Sequence, residues 1–187
     1  MITVRLIVGK TDMNKQALKA IRHFYGDRCA ARSGVPLIKH IDEGLAVLRH
    51  IGASDIAKEA FCIHPKLQSD ADLKISISRQ GSVFQAYALN PEAIAVAMEY
   101  RHIANSYLSH HCITGEETIN LGCLDEVREM LIADKVQNLK DFERFHLGTH
   151  PNNDQLVRYF DAWLVRLNIT PDRYLELCKV MGDVIHF

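Results

Sequence analysis

The residues with the most chemical capacity in this chain are two histidines and one aspartate that fall on apolar helix faces. His40 lies at the border of the stripe formed by Leu37, Ile41, Leu45 and Leu48, and His64 shares a face with Ala57, Ala60 and Phe61. Further along, Leu124, Val127, Met130 and Leu131 define the apolar side of a helix predicted over 119–143. Asp134, Asn138 and Asp141 fall on that same arc, while Glu126, Glu129, Lys140 and Glu143 take the solvent side. An ionised carboxylate inside a core costs several kcal/mol unless it is paired, hydrogen-bonded or bound to a metal, so Asp134 requires a partner. A lone histidine on an apolar face is more often a satisfied core residue than a ligand. Two imidazoles and a carboxylate from three helices are, however, a sufficient set to hold one divalent cation and leave positions open to water and substrate.

A second anomaly is the helix predicted over 91–108, where Arg101 and Asn105, one turn apart, align with Ile94, Met98 and Leu108. An arginine on such a face needs an anion. That anion is either a structural carboxylate, such as Asp134 or Asp70, or a bound phosphate or carboxylate gripped in a bidentate way. The remaining histidines read mostly as surface residues, with the His110-His111 pair a spare source of ligands. Cys62, beside His64, is the one cysteine with a neighbourhood of interest; Tyr159, Phe160 and Trp163 read as packing. There is no phosphate-cradling glycine loop, no G-x-G-x-x-G and no G-x-S-x-G nucleophile elbow.

The elements that must position these residues are helices. The predicted spans are 12–31, a second from Pro36 to Gly52 with the proline in its first turn, and a third capped by Ser54 that ends at His64-Pro65. After an irregular stretch at 68–89, in which KISIS looks strand-like, come 91–108, 119–143, 152–168 and 171–184. Residues 1–9 suit one short strand. The expectation is one all-α domain of about seven helices over 1–187, with its core at about 15–168 and a C-terminal helix that packs on the domain or on a second subunit.

Composition narrows the function classes. With 187 residues, 48% apolar and 24% charged, and only ten glycines and five prolines, the chain is neither disordered nor fibrous. Lys and Arg total 22 against 23 Asp and Glu, a balance that argues against a nucleic-acid duplex as partner. Five cysteines without a C-x-x-C (Cys29, Cys62, Cys112, Cys123, Cys178) fit a reducing compartment rather than a disulfide framework. The opening MITVRLIVGK is unlike a signal peptide, and no segment approaches the roughly 18 apolar residues of a membrane span. A cytoplasmic protein is expected, with a homo-oligomer left open.

The segments RSGVPLIKH (32–40), FCIHP (61–65), LIADKVQNLKDF (131–142) and VRYFDAW (157–163) together resemble the HD-superfamily hydrolase domain of RelA/SpoT proteins and their small stand-alone metazoan relatives. The resemblance runs in order over roughly residues 15–168. It implies an all-α fold, one divalent cation, and hydrolysis of a phosphate ester or anhydride in a nucleotide such as ppGpp. Mn²⁺ is the cation it favours, with Mg²⁺, Fe²⁺ or Co²⁺ as alternatives. Carried onto this chain, it makes His40, His64 and Asp134 the metal ligands, sets Arg32 and Ser33 against the base, and sets Asn138 and Asp141 near sugar and phosphate.

The sequence also departs from that family. The aspartate of the His-Asp dyad is Pro65, and the Glu-Asp pair that assists water activation in active members is Gln68-Ser69. Two expectations follow. The first is a metal-dependent nucleotide phosphohydrolase of altered site, with Asp70 the nearest base, Arg101, Arg32 or Lys135 neutralising phosphate, and Asn105 beside Arg101 contributing to the anion site. The second is a catalytically inactive module of the same shape that binds a nucleotide or a protein partner.

Overall fold

The computed structural model describes residues 10–78, 86–112 and 118–182. The strand expected at 1–9 lies outside the described residues. Among the described residues the chain is all-helical, with nine α-helices: α1 Lys10–Tyr25, α2 Ile38–His50, α3 Asp55–Ile63, α4 Pro65–Gln68, α5 Asp70–Ser78, α6 Pro91–Ser106, α7 Asp125–Phe145, α8 Asn153–Arg166 and α9 Pro171–Gly182. One 3-10 turn, Ser109–His111, joins them. No described helix is long and apolar enough to cross a membrane.

The buried side chains of Ile21, Ile41, Leu48, Phe61, Ile63, Met130, Leu131 and Trp163 form one core, with α3 packed against α1, α2, α6 and α7. Local chemistry starts the helices where the sequence predicts. The Ser54 hydroxyl accepts the Ala57 N–H at 3.0 Å and the Asn90 side chain accepts that of Glu92 at 3.0 Å, each cap contributing about 1 kcal/mol. Helix α9 packs on α2 and α7 of the same chain, burying Leu177 and Met181.

Five local features differ from expectation. Helix α1 stops at Tyr25 rather than near 31, because Gly26 turns to a left-handed φ of 53°. The chain then forms a loop closed by an antiparallel bridge between Cys29 and Pro36, so Pro36 belongs to that loop and not to the first turn of α2. Helix α7 starts at Asp125, after Gly122 at φ 67°, rather than at 119. KISIS is helical, not strand-like: Ser69 caps α5 by accepting the Asp72 N–H, and the Ser76 hydroxyl donates to the Lys66 carbonyl. Its alternation arises because Ile75 and Ile77 are both exposed while Ser76 between them is buried. At His64-Pro65 the chain enters α4 at once, since His64 itself stays helical (φ −53°, ψ −37°) against the usual pre-proline preference.

Candidate metal centre and its cleft

Helices α2, α3 and α7 bring His40, His64 and Asp134 together. Their ligand atoms lie within 4.8 Å of one another, with His40 Nε2 3.4 Å from His64 Nε2 and 3.6 Å from Asp134 Oδ1. His64 and Asp134 are buried, the His40 side chain is 20% exposed, and all three line one cleft. Phe61 underlies both rings, its centroid 5.4 Å from that of His40 and 4.8 Å from that of His64. Gly44 makes room for this ring, since a β-carbon there would collide with it.

Hydrogen bonds fix which nitrogens face inward. His64 Nδ1 donates to the Phe61 carbonyl at 2.6 Å, and His40 Nδ1 donates to Gln137 Oε1 at 2.6 Å. In the neutral rings both Nε2 atoms therefore carry lone pairs, and these face each other and the Asp134 carboxylate. Three lone-pair donors pointing at one spot repel unless a proton or a cation lies among them. Burial, and next the neighbouring His40, push the His64 pKa down to about 3, so the ring stays neutral, the form that ligates a metal.

Asp134 has the partner that its position demanded, and it is the next residue. Burial alone would raise its pKa, but the Lys135 ammonium at 2.9 Å from Oδ2, followed by the nearby histidines, holds it well below the usual carboxylate range. Lys135 is equally buried. It donates to the Tyr159 hydroxyl at 3.1 Å and lies 4.7 Å from the Trp163 ring centre, and Asp134 holds its pKa above the ordinary lysine value despite desolvation. Asn138 Nδ2 donates to Oδ1 at 2.9 Å. Burial, and next the negative charge of the same carboxylate, raise the Tyr100 hydroxyl pKa.

The cluster forms the floor of a cleft of about 370 Å³ walled by Ser33, Pro36, Gln68, Tyr100, Asn138 and Tyr159. A second lobe of about 380 Å³ shares Ala30, Ser33, Asn138, Asp141 and Tyr159 with the first, which makes the two neighbours. Arg32, His146 and His150 give this second lobe its basic side, and Phe142, Leu156 and Phe160 its apolar one.

The expected site residues thus divide. Lys135, Asn138, Asp141 and Ser33 line the cleft together with His40, His64 and Asp134, and Arg32 lines the adjoining lobe. Asp70 and Arg101 do not join them. They form an ion pair with each other in which Asp70 is 82% exposed, and neither lines the cleft. Arg101 is on the half-buried flank of α6, whose buried side is carried by Ala93, Val96, Ala97, Tyr100 and Ala104; the alignment with Ile94 and Met98 marked that flank. Asn105 is also outside the cleft wall. It accepts from Gln68 Nε2 at 2.7 Å and so braces a residue that does line it.

Of the lesser candidates, His110 and His111 are exposed and stand apart from the triad. Cys62 is buried, and desolvation pushes its thiol up to about 12, which makes it inert. Lys140 does not face solvent as expected, but pairs with Glu43 at 2.5 Å and Asp141 at 2.8 Å. The residues missed altogether are Gln137, Glu43 and Tyr100. Gln137 was in reach of the helical pattern, since Asp134, Gln137, Asn138 and Asp141 follow i, i+3, i+4, i+7 spacing. No protein-family model, no curated protein and no solved structure matches this chain.

Proposed function

We propose that the cleft is the active site of a divalent-cation-dependent phosphohydrolase acting on a nucleotide-like phosphate ester or anhydride. The observation that carries this reading is the convergence of His40 Nε2, His64 Nε2 and Asp134 Oδ1, with both histidine tautomers set so that lone pairs face inward. Two imidazoles and a carboxylate suit a divalent transition-metal cation; the resemblance, not the donor set, favours Mn²⁺, with Fe²⁺, Co²⁺ or Mg²⁺ as alternatives. Such a cation, when bound, supplies a Lewis acid toward a phosphoryl oxygen and lowers the pKa of water.

The chain's own residues have distinct tasks in this reading. Lys135 and Asn138 hold the Asp134 carboxylate still and keep it ionised. The apolar faces of Phe61 and Tyr100 keep bulk water from the back of the histidines. The second lobe fits the body of the ligand, a planar group against Phe142, Tyr159 and Phe160 with a charged or polar end toward Arg32. Among the described cleft residues the carboxylates are Asp134 and Asp141, and both are committed to partners. No side-chain base is therefore assigned, and Asp70 is withdrawn from that role.

That same shortage favours a second reading, a cleft that binds cation and nucleotide without turning the nucleotide over. Release of phosphate or pyrophosphate from a nucleotide panel with Mn²⁺, Mg²⁺, Fe²⁺ and Co²⁺ separates the two. Turnover abolished by His64→Ala supports the hydrolase. Thermal stabilisation by a nucleotide with no turnover under any condition supports the binding module.

A further inference from the structure

We propose that Gln137 is the positioning residue that decides which ring nitrogen of His40 faces the cleft; its consequence for cation binding rests on the reading above, but the positioning itself does not. Gln137 is 1% exposed and sits between helices α2 and α7. Its Nε2 donates to Glu43 Oε2 at 3.0 Å and to Asp141 Oδ2 at 2.8 Å. Carboxylates only accept, so both amide hydrogens are taken and the amide cannot turn over. Its oxygen is left facing His40 Nδ1 at 2.6 Å, and an amide oxygen only accepts, so the His40 proton must be on Nδ1.

The clamp is itself held. Glu43, buried on α2, pairs with Lys39 at 3.4 Å and Lys140 at 2.5 Å, and Lys140 also reaches Asp141 at 2.8 Å. Two carboxylates and two ammonium groups balance in charge, so the network orients the imidazole without placing a net charge behind it. Glutamine is suited to this position because it accepts from the ring on one atom and donates twice on the other. Glutamate would set a third carboxylate against Glu43 and Asp141, and an apolar residue would leave the ring free to choose its tautomer.

The test is nitrogen-15 NMR of the imidazole rings in cation-free protein, at a pH where both histidines are neutral, followed by Co²⁺ titration read from the visible spectrum. Wild type is expected to carry the His40 proton on Nδ1. Gln137→Met is expected to shift His40 toward the Nε2–H tautomer that free histidine prefers, and to weaken Co²⁺ binding about ten- to a hundredfold. A wild-type proton on Nε2 overturns the proposal whether or not the variant folds, and so does an unchanged tautomer in a folded Gln137→Met. A tautomer that moves in a protein taking up no Co²⁺ sustains the positioning role and removes the cation reading instead.

Discussion

Two aspartate–cation pairs of this molecule, Asp134–Lys135 and Asp70–Arg101, use similar chemistry in opposite surroundings. The first has both side chains 6% exposed at the floor of the cleft; the second joins an aspartate that is 82% exposed to an arginine on the flank of α6. In water the attraction of such a pair is largely offset by screening and side-chain entropy, whereas in the interior each charge depends on the other for its solvation. The buried pair therefore fixes a carboxylate in one place and one protonation state, which is what a ligand atom requires. The second pair, with its carboxylate in water, lines no part of the cleft.

The sharpest way to break this contrast is to remove one partner of the buried pair. Lys135→Met leaves the Asp134 charge uncompensated and is expected to cost about 3–5 kcal/mol in urea unfolding. The double variant Asp134→Leu, Lys135→Met should recover much of that loss, because no buried charge remains. A single variant as stable as wild type would show that water reaches the pair.

Acid extends the comparison. Burial holds the folded His64 pKa down to about 3 against an ordinary 6.5, so between those values the unfolded chain binds a proton that the folded chain does not. Lowering the pH through this window must therefore destabilise the cation-free protein, by up to about 1.4 kcal/mol per pH unit. Asp134, held below its ordinary 3.8, adds to the loss in the same direction at the acid end. Chemical unfolding at a series of pH values reads the slope, and a flat profile between pH 6.5 and 4 would contradict the buried neutral imidazole.

Smaller effects sharpen the picture. Gly44→Ala drives a methyl into the Phe61 ring that supports both histidines, and is expected to cost about 1–3 kcal/mol and to weaken cation binding together with stability. Asp70→Asn is expected to change stability by less than about 1 kcal/mol and to leave cation binding as it is. A large loss of binding in Asp70→Asn would return that residue to the site.

Much of this was legible in the sequence, and the rest was hidden for identifiable reasons. His40, His64 and Asp134 each stood out as a polar group on an apolar arc, and three such anomalies on three helices meet at one point. Asp134 needed a counter-charge, but Lys135 was hard to assign because adjacent helical positions do not face each other, and yet its ammonium lies 2.9 Å from the carboxylate. Arg101 has the anion it needed, the Asp70 carboxylate of the structural alternative, but not its place in the cleft, because Ile94 and Met98 mark the flank of α6 rather than its centre, which is packed with alanines and Tyr100. Helix α5 was unreadable as a helix because its exposed isoleucines alternate as they would in a strand and its start depends on a serine cap. Gln137 carried a periodicity signal, yet nothing in the pattern said that its oxygen and nitrogen serve different neighbours.

The most direct test of the central claim is stoichiometric metal binding. Elemental mass spectrometry after reconstitution with Mn²⁺, on wild type beside His64→Ala and Asp134→Asn, should find about one ion per chain in wild type and little in either variant. A folded wild-type protein that retains no ion, or variants that retain as much as wild type, would contradict it.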